Sequence, residues 1–385
     1  MANPGSNKLE GLQVLRAIAA LSVLFCHFRY NMLTPPATFF GIPWDATRLG
    51  AIGVDIFFVI SGFVIAMTGS KLGNDWRTFM SLRAARIVPL YFALSTYGLL
   101  EAMISAKIHG VAAPLSWRNI FNTYAFIPLF NGREWTGPIL GTGWTLCFEM
   151  WFYLCFASMM RYSGGKLAGT RLPYVLGAAV MVKMLLLPSV AWGLLNFLFH
   201  PLTLEFYAGC LLYYFRNQIG KVMIYGMAVA AMPLIYFAYR TPELSYDGTV
   251  MTYPVLGLHR AWLWGGFAVC LVGVVTQIDL KYQWAWPRWL TLLGDASYSI
   301  YLIPGPFLMT FDIAMHGISK LAGHEVLVMT GLGRAAFWVA GSIICSILSW
   351  KYFEVPTTRL LKNFLLRSFA HRPPVNPAAT VAAAK

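Results

Sequence analysis

The residues able to do chemistry here are charged and hydroxyl side chains set among apolar ones. In the stretch Leu12–Asn31, Arg16 and His27 stand 11 residues apart. At about 100° per residue that is three turns plus roughly 20°, with a rise on the order of 16 Å, so the two share one helix face at different depths. An imidazole that titrates near neutrality suits a general base, and a guanidinium suits a phosphate or developing negative charge. Taken alone, the pair also fits a snorkelling helix-end arginine beside a hydrogen-bonded histidine.

Three further stretches carry such residues. Gly53-Val54-Asp55-Ile56-Phe57-Phe58-Val59-Ile60-Ser61-Gly62-Phe63 places Asp55 and the Ser61 hydroxyl in an apolar helix. Asp55 could orient a histidine, as carboxylates do in catalytic dyads, or be an N-terminal acid favoured by the helix dipole. Arg83-Ala84-Ala85-Arg86-Ile87-Val88-Pro89-Leu90-Tyr91 puts two arginine forks at i and i+3 at a helix entrance. Sharing a face, they suit phosphate recognition, and a topogenic anchor would look the same. Gly143-Trp144-Thr145-Leu146-Cys147-Phe148-Glu149 sets Glu149 about one turn inside an aromatic-rich helix. A carboxyl there needs a cation or a proton. Glu205 and Lys183 are also intramembrane and could pair with one another.

The elements holding these residues are membrane spans. Of the 385 residues 58% are hydrophobic and 11% charged, against roughly a quarter charged in a soluble domain. Apolar runs of about 20 residues recur without period-two alternation, which implies helices and not a barrel. The expectation is an all-α, polytopic transmembrane helical bundle of about ten spans: 12–31, 51–69, 87–104, 145–160, 172–190, 197–215, 222–239, 261–278, 297–315 and 334–353. The first run carries Arg16 and His27 and no A-x-A pattern follows it, so it reads as a retained span and not a signal peptide. Residues 1–370 form one domain and 371–385 a disordered cytoplasmic tail.

Alternate loops hold eighteen basic residues on one side and nine on the other, Arg260 among the nine, which places both termini in the cytoplasm. The formal charge of +14 is spread over these short loops and not gathered on one surface, so no nucleic-acid partner is expected. The six cysteines fall in apolar runs and pack as small hydrophobes, with no metal expected. The aromatic outer stretch from Ser105 to Gly143 is either a folded lid or re-entrant segment, or an interfacial belt.

Together the motifs resemble the acyltransferase 3 family of membrane proteins, which modify surface and secreted polysaccharides, peptidoglycan and small glycosides. The resemblance rests on Arg16-x10-His27, Gly53 to Phe63, Arg83-x2-Arg86 running into Pro89-Leu90-Tyr91, Trp144-Thr145-Leu146-x2-Glu149, and Leu293-Gly294-Asp295-Ala296-Ser297-Tyr298-Ser299-Ile300-Tyr301-Leu302. It implies a cytoplasmic acyl-CoA donor, acetyl-CoA by default, and a first-span arginine and histidine required for activity. Two departures stand out. Where the family commonly has a histidine after Tyr301-Leu302, this chain reads Ile303-Pro304-Gly305-Pro306. No SGNH-type esterase domain follows the last span, so transfer is expected to be finished by this domain or by a separate partner.

On this reading His27 is the general base for the acceptor hydroxyl, and Arg16 steadies negative charge or the pantetheine-phosphate arm. Arg83, Arg86 and Ser61 hold the donor. Asp55 and Glu149 orient His27 and the acceptor. An acyl-histidine intermediate is the alternative to direct transfer. The expected partners are membrane lipid of the bacterial inner membrane, acyl-CoA, a glycan acceptor and a polysaccharide synthesis or export complex. The rival functions are a proton-coupled transporter, which repeat symmetry would betray and which the clustering of motifs in the first four spans disfavours, and a non-catalytic scaffold.

Overall fold

In hydrocarbon a backbone N–H or C=O finds no water, so an apolar run of this length closes its hydrogen bonds within itself as a helix. The computed structural model follows that rule almost throughout. It describes residues 9–30, 38–39, 42–110, 116–131, 134–187, 193–322 and 331–370, and the expected tail lies outside them. In chain order the helices are α1 (Glu10–Tyr30), α2 (Ile52–Leu72), α3 (Trp76–His109), α4 (Trp117–Ala125), α5 (Trp144–Leu186), α6 (Gly193–Leu198), α7 (Thr203–Phe215) and α8 (Lys221–Arg240). They continue as α9 (Asp247–Thr252), α10 (Pro254–Arg260), α11 (Gly266–Tyr282), α12 (Arg288–Asp295), α13 (Ser297–Leu302), α14 (Pro304–Ala322), α15 (Gly331–Ser349) and α16 (Val355–Ala370). Strands among the described residues form two short antiparallel hairpins, β1 (Thr38–Phe39) with β2 (Ile42–Pro43) and β3 (Leu129–Asn131) with β4 (Glu134–Thr136). The chain is an all-α, multi-pass membrane protein.

Among the described residues 7 helical runs are long and apolar enough to cross a membrane, against ten spans expected from sequence. The expected stretches are helical for most of their length, and the difference lies in breaks. The fourth and fifth share α5, which is interrupted at Gly164, where φ 78° and ψ 157° suit glycine and few other residues. The sixth is α7, whose 13 residues are too short to span about 30 Å alone. The ninth is split at Ile303 because Pro304 has no N–H to continue a helix but fits the first turn of a new one.

A further correction concerns α3. It starts at Trp76, not at Ile87, because Asp75 caps it by accepting a hydrogen bond from the Thr78 amide at 3.0 Å. Arg83 and Arg86 therefore sit two to three turns inside the helix, roughly 10 and 15 Å from its start, and not at its entrance. In the outer stretch the described residues are folded. Tyr91 donates to the Thr123 carbonyl at 3.1 Å and stacks on Phe126 at 4.7 Å, which ties α4 to α3.

Helix α2 is the hub, buried against α7, α5 and α1. Its closest neighbour is α7, and glycine makes that approach possible. A Cβ at Gly62 would strike the Phe206 carbonyl, and one at Gly209 the Val59 carbonyl. Small residues that let backbones touch are a common basis of helix pairing in membranes, where lipid offers no hydrophobic drive. Phe206 then fills the seam, stacked on Phe58 at 4.5 Å and on Phe152 at 4.9 Å.

Candidate active site

Helical spacing turns five elements toward one cavity of about 90 Å³. From α2 come Val54, Phe57, Phe58, Ser61 and Val64, at steps of three and four residues that keep to one face. Helix α5 gives Thr145, Leu146, Glu149 and Tyr153 by the same rule, α3 gives Arg83, Arg86 and Ile87, α13 gives Ser297, Tyr298 and Tyr301, and α1 gives Arg16. Five of the residues singled out in the sequence, Arg16, Ser61, Arg83, Arg86 and Glu149, thus meet although they are spread over 134 positions of the chain.

The polar contacts are specific. Ser61 Oγ donates to Glu149 Oε1 at 2.7 Å. Arg83 Nη2 donates to Thr68 Oγ1 at 2.7 Å, and its guanidinium lies over the Phe79 and Tyr153 rings at 5.5 and 5.8 Å. Its Nε is buried with no protein acceptor among the described residues. Arg16 Nε donates to Ser297 Oγ at 3.1 Å. Tyr301 and Thr145 share a hydrogen bond at 3.0 Å between their hydroxyls, and Tyr298 donates to the Ile87 carbonyl at 2.9 Å. Three guanidinium groups thus border a cavity to which the protein brings one carboxyl, Glu149, and among the described residues none of the three is ion-paired. Such an excess of fixed donors and positive charge suits an anion.

Two expected site residues lie elsewhere. His27 is half-buried on α1 and does not line the cavity, its Cα roughly 16 Å along the helix from Arg16. Asp55 is fully buried and paired with Arg260, which donates from Nε to Oδ1 at 3.1 Å and from Nη2 to Oδ2 at 3.0 Å. Its carboxylate is thereby committed to an arginine that sequence reading had assigned to an outer loop. Arg260 also donates to the Leu244 carbonyl at 3.2 Å and lies over the Trp264 ring at 4.8 Å, just before the π-helical turn Ala261–Gly265. The suggested Glu205–Lys183 pair is not formed either. Glu205 packs by Asp55 and Arg260, while the buried Lys183 Nζ has no hydrogen-bond partner among the described residues.

Sequence reasoning left Ser297, Tyr298, Tyr301 and Thr68 out of the site. The signal for the first three was present, as hydroxyls at i, i+1 and i+4 of one motif that present a single polar edge. Arg260 was legible too, as a charge directly before Ala261-Trp262-Leu263-Trp264, with Asp55 available to pair.

Fold and site together define a multi-pass membrane bundle with an arginine-bordered polar cavity that holds a serine–glutamate pair. Residues 9–351 match the family described as acyltransferase domain, so the chain belongs to the acyltransferase 3 family. It is similar to exopolysaccharide production protein ExoZ of Rhizobium meliloti (strain 1021), at 29% identity over 327 residues, covering 83% of this chain and 90% of that relative. It is also similar to nodulation protein 10 of Rhizobium leguminosarum bv. viciae, at 21% identity, covering 94% and 96%. O-acetyltransferase OatA of Staphylococcus aureus (strain NCTC 8325 / PS 47) aligns at 27% identity with 40% of this chain and 25% of its own length. No solved structure matches the chain.

Proposed function

We propose that this acyltransferase moves an acyl group, acetyl by preference, from acyl-CoA in the cytoplasm to a hydroxyl of a secreted polysaccharide at the bacterial inner membrane. The observation that carries the reading is the convergence of Arg16, Arg83 and Arg86, without ion-pair partners among the described residues, on the cavity that holds Ser61 and Glu149. A coenzyme A thioester brings phosphates that match guanidinium forks and an acyl end that must reach a proton-accepting group. Arg83 and Arg86 belong to the more basic end of the bundle, which faces the cytoplasm in this reading, as do both termini. His27, further along α1 toward the opposite end and outside the cavity, helps to hold the acceptor glycan. Exopolysaccharide is the preferred acceptor because ExoZ, which covers most of this chain, is named for exopolysaccharide production.

The test is to incubate the purified chain in lipid nanodiscs with radiolabelled acetyl-CoA and candidate glycans. Label should pass to a polysaccharide, and His27→Ala should abolish this transfer while donor binding persists. Transfer from no acyl-CoA to any glycan, by protein that is folded, would overturn the reading.

A further inference from the structure

Within the cavity one contact is organised as a nucleophile and its base. The Ser61 hydroxyl points at Glu149 Oε1 across 2.7 Å, and both side chains are half-buried, so the pair is open to what enters. A hydroxyl within hydrogen-bond reach of a carboxylate is the arrangement that activates an oxygen nucleophile. Arg16 borders the same space with its two terminal nitrogens not engaged by a described residue, and so can face a developing oxyanion. His27 is outside that space.

We infer that Ser61 is acylated, and that the protein works by two half-reactions through an acyl-serine. This rests on the acyl-CoA reading given above. In the first half-reaction Glu149 takes the Ser61 Oγ proton as Oγ bonds to the thioester carbonyl carbon. The C–S bond breaks, and coenzyme A leaves as the thiol after receiving that proton from Glu149. In the second, the acceptor oxygen attacks the ester carbonyl, the Oγ–C bond breaks, and the acceptor's proton ends on Ser61 Oγ. Bonds, charges and protons balance without any further reactant. The arrangement carries the acyl group at mid-bundle, since Ser61 lies roughly 16 Å from the Leu72 end of α2.

The experiment uses the full chain in nanodiscs with radiolabelled acetyl-CoA and no acceptor, quenched in denaturant and mapped by peptide mass spectrometry. One acetyl group should appear on Ser61, released coenzyme A should match it in amount, and the label should survive neutral hydroxylamine as oxygen esters do. Ser61→Cys should convert it to a thioester that neutral hydroxylamine removes, a change that a purely structural role would not produce. Glu149→Gln should slow labelling at least about a hundredfold. The remote Ser368→Ala should leave it unchanged. Acetyl found on His27 or another residue, label retained in Ser61→Ala, or coenzyme A released only when a glycan is added would overturn the acyl-serine while leaving the donor reading intact. Failure of folded protein to bind acetyl-CoA at all would overturn the donor reading, and the relay with it.

Discussion

Two arginine sites lie on either side of α2, and they treat their charges in opposite ways. Arg260 is fully buried and spends its donors on Asp55 and two nearby carbonyls, those of Leu244 and Ala51, leaving nothing to offer a ligand. Arg16, Arg83 and Arg86 border a cavity, and among the described residues none has a carboxylate partner. Asp55 and Ser61 are six residues apart, about 240° around the helix, so one helix serves a closed ion pair on one face and an open site on the other. The lesson is that an intramembrane charge is a site candidate only while its partners leave capacity unused. A motif containing both kinds must be divided by helix face and not assigned whole.

The largest effect should come from breaking the closed pair. Arg260→Leu strands Asp55 in the core and should destabilise by about 3–5 kcal/mol, seen as loss of monodisperse protein or a lowered Tm in detergent. Adding Asp55→Leu should restore much of it, because the carboxylate stranded beside Glu205 is then gone. Recovery of stability in the double variant, with the cavity's donor affinity unchanged, would sharpen the division between the two faces. A double variant as unstable as the single one would break it.

On the open face, Glu149→Gln should cost at least about a hundredfold in kcat through loss of the proton acceptor, with Tm held near the parent value. Arg83→Ala and Arg86→Ala should each raise the donor KM about tenfold to a hundredfold, from roughly 1.5–3 kcal/mol for a hydrogen bond to a charged group, while kcat at saturation changes little. Thr68→Val should have the smallest effect. It removes the hydroxyl that steadies Arg83 at 2.7 Å, and a few-fold rise in donor KM is expected from a net loss of about 0.5–1.5 kcal/mol.

The membrane class and helical content were legible because hydrocarbon leaves the backbone so few options, and the five cavity residues stood out as polar groups in apolar runs. What escaped was set by geometry between distant segments. Asp55 suits a histidine partner by residue type, as carboxylates do in catalytic dyads, yet its partner Arg260 lies 205 positions away. The start of α3 was placed late because the arginines lowered local hydropathy, although the Asp75 cap and Thr78 were in the sequence. The contribution of Ser297 depends on α13 meeting α1, a contact between segments 281 residues apart that no local pattern announces.

The central claim, that the arginine-lined cavity is the donor site, is tested most directly by calorimetric binding of coenzyme A to the purified chain and its variants. The parent and the Asp55→Leu, Arg260→Leu double variant should bind with similar Kd. Arg83→Ala with Arg86→Ala should weaken binding at least about a hundredfold, two contacts of roughly 1.5 kcal/mol or more each. Equal affinity in the parent and the Arg83, Arg86 double variant, both folded, would contradict the account.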